Sequence, residues 1–402
     1  MNASPMPQEH RRAVFLLSLS AFASASSVRL CDPMLPALMH QFHTSAESTI
    51  AVVSDFSIAY GVMQLFFGPL SEKVGKYRLI AWATLACLVG SLGAFLAQTL
   101  DQLILARLLS GATAAGIIPL SMAWIGDTTH YEQRQATLAR FLGGQIMGVI
   151  GGQFIGGAVT DLVGYHWAFG FMACLYWVVG IRVLHEARHN PVVIGSRRPV
   201  SSHPSLLHQW VAVLHLPWAR HILLTVAIEG ALVFGPLALI PTFLHQKEGL
   251  SLTHASMIMA TFGLGGFSYT LLARHFVAGL GETGLARLGG ISLGIAWFIL
   301  ALAPPWGWAL PAGSLIGFGY YLLHNTLQTH ATQMAPELRG TAVSLFASLF
   351  FLGQALGVMA AARIYTTWSP STLFAVPMLL LPLLGHGFAL SIERKNGASL
   401  PR

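Results

Sequence analysis

Apolar runs of about 20 residues recur along nearly the whole chain, and their length constrains the fold more than any other feature. A helix of about 20 residues spans the roughly 30 Å hydrocarbon core of a bilayer, whereas membrane β-strands would show ~10-residue alternations. Hydrophobic residues make up 54% of the chain and charged residues only 9%, far below the roughly 25% of soluble domains. Mean hydropathy is +0.63. The expected class is an all-α membrane protein, and 402 residues leave room for about 12 spans with short loops. A net charge of +7 does not point to nucleic acid here, because loop Lys and Arg face anionic lipid. Cys31, Cys87 and Cys174 all lie in apolar runs, so no disulfide framework and no metal or cofactor motif is visible. Arg11 and Arg12 precede a long first span with no small-residue cleavage site, so that span is expected to stay.

One charged stretch organises the reading. Gly68–Ile80, GPLSEKVGKYRLI, holds Glu72, Lys73, Lys76 and Arg78 between two apolar runs. Charge in hydrocarbon costs several kcal/mol per residue, so this turn belongs in water or among headgroups. Gly75 permits a tight turn. The stretch resembles the signature of the major facilitator superfamily between its second and third membrane helices, carried here by Gly68, Leu70, Ser71, Glu72, Lys73, Gly75 and Lys76. Glu72 stands where the family pattern has Asp.

The chain in order adds further matches. The first span, about 13–37, holds Arg29 and Asp32 one helical turn apart, followed by Pro33 and Pro36. Ionisable residues this deep are read as functional, the alternative being a helix end from which they snorkel. Asp-Pro-x-Leu-Pro also resembles the end of the first helix in drug and sugar efflux members. The second span, about 47–67, carries Asp55, Tyr60 and Gln64; Asp55 is either an intramembrane carboxylate or a near-surface charge. The fourth span, about 102–125, resembles the superfamily's second motif through Leu103, Arg107, Gly111 and Ala115, with Ser110 in place of Gln. Arg107 cannot lose its charge, so a carboxylate partner is expected, Asp32 first among the candidates. The resemblance puts such an Arg near a central cavity, tuning proton release.

The fifth span, about 137–159, resembles the antiporter motif at Gly148, Gly152, Gly156 and Gly157, with Gln153 replacing the proline. Small residues also let helix backbones approach, so ordinary packing is the alternative. The seventh span, about 220–243, has the lone carboxylate Glu229, with Pro236 and Pro241 expected to kink it. The tenth, about 307–330, ends with Tyr320, Tyr321, His324, Asn325, Gln328 and His330. His324 is a proton carrier or a structural hydrogen-bonder.

Two internal checks agree. Glu132-x-Arg134 recurs as Glu337-x-Arg339, and Gly148 and Gly152 recur as Gly353 and Gly357 at the same offset, about half the chain. One side of the membrane would collect Arg11, Arg12, Lys73, Lys76, Arg78, Arg134, Arg140, Arg188, Arg197, Arg198, Arg274, Arg287, Arg339, Arg394 and Lys395; the other holds little beyond Lys247 and Arg363. The positive-inside rule then makes both termini cytoplasmic and the span count even.

The expectation is a major facilitator fold: 12 transmembrane helices in two pseudo-symmetric six-helix halves, 1–185 and 219–402, joined by a cytoplasmic linker at 186–218. The resemblance, closest to the twelve-helix drug–proton antiporter branch, implies rocker-switch export of a small organic molecule against protons from a bacterial inner membrane, by a monomer. Its proton-coupling residues would be Asp32 first, then Asp55 and Glu229, tuned by Arg107. Arg29, Tyr60, Gln64, Gln145, Phe234, His324, Asn325 and Gln328 would line the cavity. Gly68, Glu72, Lys73, Gly75, Lys76, Asp127 and Arg339 would form the cytoplasmic gate. A uniporter or proton symporter of a small anionic or zwitterionic metabolite is the alternative. No G-x-x-x-x-G-K-[ST] is present, which argues against ATP coupling.

Overall fold

The computed structural model describes residues 7–196, 205–302 and 305–398. Arg197 and Arg198 of the expected linker lie outside the described residues, as do the side chains of Glu132 and Arg274. The described residues form helices and no strand. Twelve helices among them are long: α1 (Gln8–Phe42), α2 (Ala46–Val74), α3 (Lys76–Leu96), α4 (Leu100–Thr128), α5 (Tyr131–Val163) and α6 (Tyr165–His189) make the first half. In the second half are α7 (Pro217–Glu248), α8 and α9, α10 (Ala309–Gln333), α11 (Arg339–Thr367) and α12 (Pro370–Ala398). α8 and α9 are one helical run, Leu252–Ala301, reversed at Gly281, whose φ of 60° and ψ of −178° suit glycine alone. Among the described residues, eleven helices are long and apolar enough to cross a bilayer; α10 has the length, but His324, Asn325, Gln328 and His330 dilute its hydropathy. The protein is a multi-pass membrane protein.

Helices run past their apolar windows. α2 continues to Val74, so Gly68, Glu72 and Lys73 lie in its last turns, and the turn itself is Gly75, at φ 93° and ψ 133°. Lys76 and Arg78 open α3. α6 likewise carries Glu186 and Arg188. Glu186, buried, accepts from Arg12 Nε at 2.8 Å and so ties the start of α1 to the end of α6. α7 breaks at Ala238–Leu239, between Pro236 and Pro241, where missing N–H groups interrupt the helical ladder.

The half-chain repeat is a packing repeat. A Cβ on Gly148 would strike the Phe22 carbonyl, and one on Gly152 the Ser26 carbonyl, so α5 crosses α1 backbone to backbone. Gly353 meets Ala227 and Gly357 meets Ala231 in the same way, where α11 crosses α7. Both the glycines and their targets recur at the same offset. The halves meet along two seams. On one, Gly61 of α2 packs against Ser348 and Leu352 of α11. On the other, Gly157 of α5 packs against Leu252 and Ser256 of α8.

Candidate substrate and coupling site

The site begins where α1 breaks. Helix ends at Arg29, and a 3₁₀ turn, Asp32–Met34, leads into Leu35–Phe42. Pro33 and Pro36 cannot donate to the preceding turn, which favours the break. Asp32 is fully buried and Arg29 nearly so. Arg29 Nη1 lies 3.4 Å from Asp32 Oδ2, a long ion pair. Arg29 Nη2 donates to Gln354 Oε1 on α11 at 3.2 Å. Gln354 Nε2 in turn donates to Ser57 Oγ on α2 at 3.1 Å. The guanidinium sits 4.1 Å from the centroid of Phe234 on α7, a cation–π contact. Asp32 Oδ1 has no partner among the described residues.

A second ionisable pair faces it. Glu229 Oε2 on α7 and His324 Nδ1 on α10 are 2.7 Å apart, and the other oxygen, Oε1, has no partner among the described residues. His324 stacks on Tyr320 at 4.8 Å and approaches Phe350 at 4.9 Å. Phe234 packs edge-on against both Tyr320, at 5.0 Å, and Phe350, at 5.5 Å. Asp32–Arg29 and Glu229–His324 therefore border one aromatic cluster, extended to Tyr60 through Phe351 at 4.1 Å. Two buried carboxylates with one bare oxygen each are costly in a low dielectric, and either a proton or a ligand N–H relieves that cost. The aromatic faces between them favour a flat or cationic guest.

Arg107 departs from expectation. Its guanidinium donates to Val52 O at 3.2 Å, Ser27 Oγ at 3.3 Å and Ser27 O at 3.0 Å, and lies over Phe56 at 4.1 Å. Asp32 is not its hydrogen-bond partner. The Ser27 carbonyl belongs to the last turn before the α1 break, where carbonyls lack helical donors, and Arg107 supplies them. The remaining expected residues are dispersed. Asp55 is half-buried and accepts from Ser54 Oγ at 3.2 Å, without contact to the aromatic cluster among the described residues. Gln64 is buried on α2; Gln145, Asn325 and Gln328 are half-buried on α5 and α10. At the end bearing the termini, Lys76 forms an ion pair with Asp127, joining α3 to α4. Glu72, Lys73 and Arg339 are exposed and join no ion pair among the described residues. Gly156 fits against Leu30 and Pro33 at the α1 break.

Sequence reasoning missed Gln354, Ser57, Phe350 and Asp161. Gln354 did carry a signal: it is a lone amide inside an otherwise apolar run.

Against known families, the description Major Facilitator Superfamily matches residues 17–391. The chain belongs to the major facilitator superfamily. Its relatives in this superfamily include the MFS-type transporter YceJ of Bacillus subtilis, 22% identical over 364 residues that cover 88% of this chain and 89% of that protein. The multidrug export protein EmrB of Escherichia coli is 26% identical over 155 residues, 39% of this chain and 30% of that one. The crystal structure of the nucleoside transporter NupG superposes with a TM-score of 0.71 at 16% identity, covering 95% of this chain and 98% of the other, a likeness of fold. The superfamily places the chain among membrane transporters, not enzymes.

Proposed function

We propose that this transporter moves a small organic molecule out of the cell in exchange for protons, working as a monomer with both termini in the cytoplasm. The observation that carries the reading is Asp32: fully buried, paired through one oxygen with Arg29, bare at the other, and set at the edge of the aromatic cluster. Keeping a carboxyl group ionised in such a low-dielectric setting is costly, and taking up a proton relieves that cost. If proton and substrate compete for it, the inward proton gradient drives substrate outward. Glu229 with His324 is a second candidate for the proton, in the other half. The likeness to a multidrug export protein supports the direction, and the distribution of Lys and Arg supports the orientation. Gly68, Glu72, Lys73, Gly75, Lys76, Asp127 and Arg339 then form the cytoplasmic gate.

The test is proton movement in proteoliposomes under an imposed pH gradient, screened against lipophilic cations, sugars, nucleosides and organic anions. A compound that releases luminal protons in wild type and not in Asp32→Asn supports antiport. Movement of radiolabelled compound without proton flux supports uniport and overturns the coupling; cotransport of both in one direction makes the protein a symporter.

A further inference from the structure

Gln354 is buried in the middle of α11, an apolar helix that otherwise presents Phe346, Phe350, Gly353 and Val358 to its neighbours. Both ends of its amide are used: Oε1 takes the Arg29 guanidinium of α1, and Nε2 reaches Ser57 of α2. One second-half side chain thus holds two first-half helices. Arg29 is shared between the halves, with Asp32 on its own helix and with Gln354 and the Phe234 ring across the seam. Arg29, Asp32 and Ser57 all lie in the parts of their helices remote from the end that bears the termini. That remote end is closed in this structure, where Asp161 and Gly157 of α5 meet the start of α8.

We infer that Gln354 is the positioning residue through which the charge state of Asp32 sets whether the halves stay joined at the end remote from the termini. A buried cation needs partners. With Asp32 ionised, Arg29 is neutralised within its own half, and the bond to Gln354 can be given up as the halves part. With Asp32 protonated, Arg29 keeps only Gln354 and Phe234 as strong partners, both in the other half, and the remote end stays shut. The other charged groups within reach are few: Arg107 acts on Asp32 from α4, and Glu229 with His324 lies beyond the Phe234 and Tyr320 rings. Gln354 itself does not titrate. The inference rests on the reading of Asp32 as the coupling carboxylate.

The experiment needs no substrate. Spin labels at Leu162 and Trp368, both exposed at the remote end and in opposite halves, report the gap between the halves in lipid nanodiscs, in a background with Cys31, Cys87 and Cys174 replaced by Ser. For wild type, acidification from about pH 8 to about pH 5 is expected to raise the ratio of short to long distances at least tenfold, a change of roughly one unit in log population. Gln354→Met, close in volume, is expected to leave both distances populated and to cut the pH response to less than about twofold. Gln354→Glu gives Arg29 an anionic partner across the seam whatever the state of Asp32; the short distance should dominate already at about pH 8 and stay dominant on acidification, so the pH response is lost with the remote end shut. If Gln354→Met keeps the wild-type response while Asp32→Asn abolishes it, the relay is overturned and the coupling reading stands. A flat wild-type profile overturns both.

Discussion

Asp161, near the end of α5, caps α8: its carboxylate accepts from the backbone N–H of Leu252 at 3.2 Å and of Thr253 at 2.6 Å, and from Thr253 Oγ1 at 2.6 Å. A helix N-terminus offers unsatisfied N–H groups and the positive end of the macrodipole, so an anion is well matched there. The cap crosses the seam between the halves. In the proposed exchange cycle the halves part at this seam, so the cap must break once per cycle. Hydrogen bonds to a charged group are worth about 1.5–3 kcal/mol each, and about 1.4 kcal/mol is tenfold in population. Asp161→Ala should therefore raise the population open at the remote end by roughly tenfold or more. Asp161→Asn, which keeps an acceptor and loses the charge, should fall between. The alkylation rate of Cys31, buried beside Asp32, by a membrane-impermeant maleimide from that side is the measurement. Unchanged rates in both variants would mean that the cap does not hold the gate.

Asp32→Asn removes the charge that neutralises Arg29 while keeping the size of the side chain. The protein should reach the membrane and elute as wild type, and substrate exchange without a gradient should slow, because Arg29 keeps only Gln354 and Phe234 as partners and the remote end stays shut. Gradient-driven accumulation should fall by about 10-fold or more, since the proton no longer changes the energy of either state. Accumulation and exchange measured on the same proteoliposomes separate these outcomes, and accumulation at the wild-type level would remove Asp32 from the coupling role.

Much of this arrangement was legible in the sequence because bilayers leave few options. Span length and the glycine repeat each follow from one-dimensional rules, and α1, α5, α7 and α11 lie where those rules put them. Asp32, Arg29, Glu229 and His324 were legible as ionisable groups inside apolar runs. Their pairings were not. Asp32 pairs with Arg29 rather than Arg107 because the break in α1 frees a carbonyl for Arg107, and no residue spacing reports a carbonyl. Gln354 joins the first half from more than 300 positions away, and only the packing of α11 against α1, α2 and α7 brings it there. Asp161 carries no signal in the sequence, because its partner is the backbone of another helix.

Glu229 and His324 make an asymmetric pair, and their substitutions should differ. Glu229→Gln leaves a neutral hydrogen bond to His324 possible, so thermal stability in detergent should drop little. His324→Leu strands a fully buried carboxyl with neither oxygen bonded. Removing one partner of a buried pair costs about 3–5 kcal/mol when the remaining charge is uncompensated, and protonation of Glu229 would limit the loss to the lower part of that range. The double variant Glu229→Gln with His324→Leu should recover part of it. A thermal-shift series on the four proteins decides the matter, and equal losses for both single variants would contradict the pairing.

The glycines of the packing repeat predict equal and local effects. Gly152→Ala puts a methyl against the Ser26 carbonyl of α1, and Gly357→Ala puts one against the Ala231 carbonyl of α7. The obstacle is backbone in both cases, so the helices must move apart. Overpacking of this kind costs about 1–3 kcal/mol. The two variants should lower the unfolding temperature by similar amounts, because the crossings are related by the half-chain repeat. Gly143→Ala on the same helix meets nothing within 4 Å and should be neutral or slightly stabilising through helix propensity. If it destabilises as much as Gly152→Ala, close approach of α5 to α1 is not what the glycine run provides.

The ion pair between Lys76 and Asp127 joins α3 to α4 at the end bearing the termini, with both side chains about 30% exposed. At that exposure an ion pair contributes little stability, about 0–1 kcal/mol before screening by salt. Its effect should therefore appear in the cycle rather than in the unfolding temperature. Lys76→Asp places two carboxylates together and pushes the start of α3 away from the end of α4, loosening the turn at Gly75 that links α2 to α3. Transport should fall several-fold with unfolding temperature almost unchanged, and the exchange Lys76→Asp with Asp127→Lys should restore most of it by re-forming the pair in reverse. High salt should narrow the difference between wild type and Lys76→Asp, because exposed charges are screened within about 8–10 Å. If the charge exchange fails to restore transport while the protein remains folded, the residues matter individually, and the ion pair itself is not the gate element.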